Sequence, residues 1–439
     1  MCAVSISRKD FIRNSAIATL GMGLAPALPV TAANDNCNAG NSRKWKNVRL
    51  ETGFEYEEGE VVATKTELYC VEVTNGKFTA ITPNDPKANA IDAKGWLMLP
   101  VFKDMHIHLD KTFYGGPWKS VKRRQGGVKG MIAIEQQILP DMLKTSTARA
   151  EKLIELLQSH GSGFARSHVN IEPTSKLDSL KNLQKALDNK KAGFGAELVA
   201  FPQHGLYYTA STSWMKEAAQ TDIDFIGGVD PYSLDGDISK PMDFIVQLAL
   251  DHNKGIDIHL HESGESGLKT VEYLIDRVNE NPVLKGKTFL SHCFVLGKLD
   301  KPQQEAIADK LAQAGIGIVS TIPFGGLTMP IPTLYKYGVN VATGNDSIID
   351  HWNTFGTGSV LQKANLMVQL YGYSTEFLLN RALKLATYNV LPLDDKGVRQ
   401  WPAAGLEASA VLIDASCSAE AVSRMSPVKS LVYKGNVVY

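Results

Sequence analysis

Cysteine is scarce in this chain: five residues in 439, with no C-x-x-C pair anywhere. Five scattered thiols make no disulfide framework. The missing P-C-x-x-C also excludes the zinc nucleobase deaminases built on H-x-E and that motif. Net charge is lacking too. Lys plus Arg and Asp plus Glu both number 46, so no overall field draws the chain to nucleic acid or to an anionic membrane. The compact basic run Lys122-Arg123-Arg124 reads as a solvated loop. No fixed-period repeat is visible, which argues against a solenoid.

What is present begins with a leader. Ser7 to Arg13 is basic, Ile17 to Val30 is apolar, and Thr31-Ala32-Ala33 are small. That is the layout of an export signal over residues 1–33, too short for a spanning helix. Its S-R-K-x-F order resembles a twin-arginine signal with lysine in the second position. The expectation is a periplasmic or otherwise exported protein, free of the membrane once the signal is removed. It is cytoplasmic if the signal does not function.

Two distant β-rich segments flank the remainder. Within residues 45–95, Glu60–Thr64, Glu67–Thr74 and Lys77–Ile81 read as strands, and Asn75-Gly76 between the last two is a hairpin signal. Residues 393–439 echo this with Ala408–Ile413, Lys429–Tyr433 and Val437–Tyr439. Neither set buries enough apolar surface alone, so one small β-sandwich built from both ends is predicted. Between them, residues 96–392 alternate strand and helix periodicities. The strands read as Leu97–His108, Gly163–Val169, Glu197–Gln203, Phe225–Asp230, Ile256–Glu262, Thr288–Cys293, Ile316–Ile322 and Val339–Asp346. Amphipathic runs such as Thr147–Ser159 and Leu177–Lys190 separate them. The fold class is α/β, a closed (β/α)8 TIM barrel carrying the sandwich.

Chemistry gathers at the strand ends. In FKDMHIHLDK, His106 and His108 are two apart and share a face at the carboxyl end of the first strand. Two imidazoles so placed suit a divalent ion of the zinc or iron kind. The fifth strand offers His259, with Glu262 three residues on as a proton carrier and His261 as a rival ligand. The sixth ends in His292 and the eighth in Asp346.

This order of ligands resembles the amidohydrolase superfamily. HIHLDK, AFPQHGL, HLHES, SHC and NDSIIDHW, spread over roughly residues 95–390, look most like its cytosine deaminase branch, which includes s-triazine amidohydrolases. The resemblance implies one divalent metal, Zn2+ or Fe2+, on His106, His108, His259 and Asp346. It gives Glu262, His292 and Asp346 catalytic roles, lets Gln203 grip the amide edge of a planar ring, and lines the pocket with Trp352. Three positions depart from cytosine deaminases: Ser347 replaces a second acid, Asn345 a histidine, and Lys111 a threonine. They argue against cytosine itself. No lysine lies on the fourth strand, Phe225–Asp230, so a single metal is expected.

The implied reaction is metal-assisted hydrolysis of a C–N bond in a small amino-substituted heterocycle, cytosine-, pterin- or triazine-like, with release of ammonia or an amine. Two rivals share the metal site: a cyclic-amide or amidase-type hydrolase, and an exported, non-catalytic metal- or ligand-binding barrel. His168 and Trp118 are further candidates to touch substrate, and the loop Phe113 to Gly130 is a candidate lid. Asp110 could orient a ligating histidine. His204 and His351 read as solvent-side or as support behind the site. Substrate, metal and oligomeric state stay open.

Overall fold

The computed structural model describes residues 42–121 and 126–439. The expected export signal and the run Lys122-Arg123-Arg124 lie outside the described residues. Among the described residues, no helix is long and apolar enough to cross a membrane.

The two flanking segments meet in one eight-stranded sheet. Its strands are β1 (Ser42–Glu57), β2 (Glu60–Thr74), β3 (Lys77–Pro83), β4 (Ile91–Asp92), β5 (Leu97–Pro100), and, from the far end of the chain, β14 (Ala410–Ile413), β15 (Val428–Tyr433) and β16 (Asn436–Val437). Their order is β16-β15-β14-β5-β1-β2-β3, with β4 beside β1. The sheet curls on itself. Phe78 N–H donates to Leu406 C=O (2.9 Å) and Ala408 N–H to Gly76 C=O (2.8 Å), which bring β3 back toward the approach to β14. The enclosed core contains Trp45, Val71, Phe78, Trp401 and Leu412. Asn75 and Gly76 turn the β2–β3 hairpin with φ of 51° and 76°, the left-handed pair that an Asn-Gly turn supplies cheaply.

The middle of the chain forms the barrel: β6 (Phe102–Ile107), β7 (Ser162–Asn170), β8 (Gly195–Phe201), β9 (Phe225–Val229), β10 (Gly255–Leu260), β11 (Thr288–His292), β12 (Ile316–Ser320) and β13 (Val341–Thr343). They lie side by side in sequence order, all parallel. The seam closes where Asp346 N–H donates to His106 C=O (2.7 Å) and His108 N–H to Asp346 C=O (3.2 Å). A Cβ on Gly344 would lie 2.3 Å from His106 O, so only glycine lets the last strand approach the first so closely. Asn345 completes the seam by donating through Nδ2 to the buried Asp104 (2.7 Å).

The expected strand Leu97–His108 is two strands. The chain leaves the small sheet at Pro100, which has no N–H to continue a ladder, and enters the barrel at Phe102. Helices over Ser146–Ser159, Asp178–Lys190, Ser239–Asp251, Glu265–Glu280 and Lys301–Ala314 pack outside the barrel. One further helix, Gly127–Leu143, takes up the last residues of the supposed lid and continues beyond it. Its buried face carries Met131, Ile132, Leu139 and Met142, and with them Glu135.

Candidate metal centre and active site

The strand ends converge, though the group that forms includes His292 and not the expected His108. One ligand atom from each of His106, His259, His292 and Asp346 lies within 4.8 Å of the others. His106 Nε2 is 3.5 Å and His108 Nε2 3.4 Å from Asp346 Oδ1. His292 and Asp346 both have φ of 64°, a sparsely populated conformation that swings each side chain off its strand and into the mouth.

The backbone and its neighbours settle two imidazole tautomers. Ser291 Oγ donates to Asp257 Oδ1 (2.6 Å), so the 2.9 Å contact between His106 Nδ1 and Ser291 Oγ must have the imidazole as donor. His106 therefore turns a bare Nε2 toward Asp346. In the same way His108 Nδ1 donates to His168 C=O (3.1 Å), leaving Nε2 as an acceptor. Asp257 also pairs with the buried Arg166 (3.1 Å), which reaches Glu197 (2.9 Å). Phe201 stacks on His259 at 4.0 Å between centroids.

The electrostatics suit a cation. Burial, and then the neighbouring imidazoles, hold His259 and His292 well below the ordinary histidine range. Burial, with Lys111 nearby, pulls His108 down to about 4. Within this cluster His106 Nε2 and both ring nitrogens of His259 and of His292 are buried without a hydrogen-bond partner. Buried polar atoms are rarely left so, and a His/Asp set of this kind fits one divalent ion.

A cavity of about 430 Å³ opens above these residues, lined by His108, Lys111, Gln203, Asp230, His261, Ser347 and Trp352 among others. Lys111 Nζ donates to Gln203 Oε1. His261 Nδ1 pairs with Asp230 (2.8 Å). Glu262 is not among the lining residues: its Oε1 accepts from Ser233 N–H (2.9 Å), and its Oε2 is buried without a partner. Nor do two of the expected substrate contacts reach the cavity. His168 is fully buried under the metal cluster, 4.2 Å from His106 and 4.5 Å from His259 between ring centroids. Trp118 is 70% exposed away from the lining. Asp110 supports strand β7 through Asn170 N–H (3.0 Å) and touches no ligating histidine.

His204 and His351 are not solvent-side; both are buried against Glu135, at 3.3 and 3.2 Å. Sequence reasoning missed Glu135 altogether. Its other partners are Asn170 (2.8 Å), Trp352 Nε1 (3.0 Å) and Lys111 (3.7 Å). A glutamate in step with Ile132, Leu139 and Met142 on an apolar helical face was the available signal. Burial raises its carboxyl, but Lys111, His351 and His204 together hold it well below the usual range.

The comparisons agree with this architecture. The family model described as "Amidohydrolase family" matches residues 230–439. The Escherichia coli (strain K12) protein "Uncharacterized protein YahJ" is 47% identical over 452 residues, which cover 99% of this chain and 98% of that protein. The crystal structure of N-isopropylammelide isopropylaminohydrolase from Burkholderia multivorans superposes with a TM-score of 0.76, at 24% identity over 90% of this chain and 98% of that one. The 5-methylcytosine deaminase of Klebsiella pneumoniae, liganded with 5-fluorocytosine, gives a TM-score of 0.74 at 24% identity over 90% and 97%. With a full-length relative at this identity and the matching family model, the chain belongs to the amidohydrolase family.

Proposed function

We propose that this hydrolase cleaves a non-peptide C–N bond at a ring carbon of a small amino-substituted nitrogen heterocycle, releasing ammonia or an amine. The observation that carries the reading is the buried cluster of unpartnered imidazole nitrogens and one carboxylate beneath the cavity. His106, His108, His259 and Asp346 would hold one Zn2+ or Fe2+, with His292 against the same cluster. When bound, such an ion supplies Lewis acidity and lowers the pKa of water toward neutrality.

The chain's own residues do the rest. Asp346 and His292 orient the attacking oxygen. Glu262, with one oxygen anchored by Ser233 and the other unpartnered, carries the proton toward the leaving side. Trp352 and the Lys111–Gln203 pair wall the cavity that receives the ring. We also propose export through the leader, on its residues alone.

The test combines elemental analysis with ammonia and amine release on a panel of amino-substituted pyrimidines, pterins and triazines. One divalent ion per chain and metal-dependent release are expected. The Glu262→Gln variant should keep its metal and lose about two to four orders of magnitude in rate. Ring opening without ammonia would move the assignment to a cyclic-amide hydrolase; full rate in the variant would remove Glu262 from the mechanism.

A further inference from the structure

A second cavity, of about 440 Å³, adjoins the first and shares Asn353 with it. It lies between the loop that follows β12, where Phe324 is exposed, and the loop that leads into the helix Val360–Tyr371, where Phe355 is 80% exposed. Met425 adds to this apolar lining. Among the described residues no aspartate or glutamate lines the cavity, and its one cation is Lys363. Lys363 Nζ donates to Thr321 C=O (3.0 Å), and Thr321 lines the first cavity. Among the described residues no carboxylate stands within 4 Å of this ammonium. The two that act on it from farther off, Asp346 and Asp104, are engaged in the metal cluster and in the seam with Asn345. An ammonium has three N–H donors, so two remain for a ligand. Two amides beside it are set in the same sense. Thr357 Oγ1 donates to Gln362 Oε1 (2.7 Å), and Phe355 N–H donates to Asn353 Oδ1 (3.0 Å). Each amide thereby keeps its NH2 group for another partner.

A partly buried ammonium without a counter-charge is costly. Aromatic walls with one cation and spare N–H donors complement an organic anion, whose carboxylate makes the stronger, charge-assisted bonds. We propose that the second cavity receives a carboxylate carried on an apolar arm of the substrate, with the ring in the first cavity and the arm crossing Asn353 to end on Lys363. The substrate class is then an amino-substituted heterocycle with an acidic side chain. Phe324 and Phe355 flank the arm, and the Gln362 NH2 group meets the second carboxylate oxygen. The shared border at Asn353, and the Thr321 residue common to Lys363 and the first cavity, favour one ligand spanning both spaces. This rests on the reading of the first cavity as the substrate site.

The experiment is calorimetric titration of the metal-loaded full chain with a matched pair of armed rings. One is a diamino-s-triazine carrying a carboxybutylamino arm; the other ends the same arm in an uncharged carboxamide. The acid should bind at least about tenfold more tightly. Lys363→Met should weaken the acid about 10- to 100-fold, the usual weight of a hydrogen bond to a charged group, and bring the pair to parity. Should Lys363→Met misfold, Phe355→Ser carries the test at an exposed position. It should weaken both armed rings about three- to tenfold and leave the unarmed triamino ring unchanged. Equal binding of acid and carboxamide, or no binding of the acid at millimolar concentration, overturns the proposal. So does an unchanged preference in folded Lys363→Met, or unchanged binding of the armed rings in Phe355→Ser. Ammonia and amine release in the same preparations separates this from the hydrolase reading. Preference for the acid arm without release from any ring upholds the second cavity and removes the hydrolase. Release from unarmed rings with no preference for the acid arm does the reverse.

Discussion

Two buried polar clusters face the same barrel mouth and are built on opposite plans. Around Asp346, His106 Nε2 and both ring nitrogens of His259 and His292 have no hydrogen-bond partner, and burial drains the affinity of His259 and His292 for protons. Around Glu135 the charges answer one another, with Lys111 and two histidines on one carboxylate and Glu172 at 3.3 Å behind His204. The difference is physical. Unpaired buried nitrogens are costly and persist where an ion completes them, whereas opposed buried charges repay part of their own desolvation. The first cluster is the one whose unpartnered nitrogens a divalent ion would complete; the second is a brace that orients the wall beside it.

The contrast can be broken by unbalancing the brace. Glu135→Gln leaves Lys111 and His204 buried with one counter-charge fewer, and breaking a buried pair in this way costs about 3–5 kcal/mol. Chemical denaturation should show that loss while the metal content of the folded fraction is unchanged. A variant that loses metal as readily as stability would show that the two clusters are one unit.

A second test works from the other side. Asp257 and Ser291 hold His106 in the tautomer that turns Nε2 toward Asp346. Asp257→Asn should weaken metal binding about 10- to 100-fold, read by competition with a chelator. Glu197→Gln, further along the Arg166 chain, should leave metal affinity close to its starting value. If both substitutions act equally, the tautomer argument fails.

The smallest effect is a pH dependence confined to the brace. Burial would lower His204, but Glu135 and Glu172 push it up to about 9. The folded value lies above the unfolded one of about 6.5, so this stabilisation is complete below about pH 6.5 and is lost as pH rises through about 9. The melting temperature of the parent chain should therefore fall between about pH 6.5 and 9, and the His204→Gln variant should show a shallower fall over that window. Parallel curves would place the imidazolium elsewhere.

Much of the metal cluster was legible because a strand has a strict period. His106 and His108 share a face whatever surrounds them, and His259, His292 and Asp346 each stand where a strand-like run gives out. The Asn75-Gly76 turn was readable for a similar local reason, since few other pairs accept two positive φ angles. The break at Pro100 was not, because Leu97 to Ile107 is apolar enough throughout to serve either sheet. The sequence left the depth of His168, His204 and His351 open, as each sits in a segment whose burial depends on what packs above it.

The order of strands, the residues available to hold an ion, and the lack of a lysine on the fourth strand, Phe225–Asp230, were written in the linear chain, because they depend on residue type and local periodicity. Closure of the barrel at Gly344, the grouping of His292 with Asp346, the direction of the Gln203 amide and the role of Glu135 were decided only by tertiary structure. Each depends on contacts between residues tens to hundreds of positions apart, and side-chain polarity inside a cavity is set by whichever neighbour claims the donor or acceptor first.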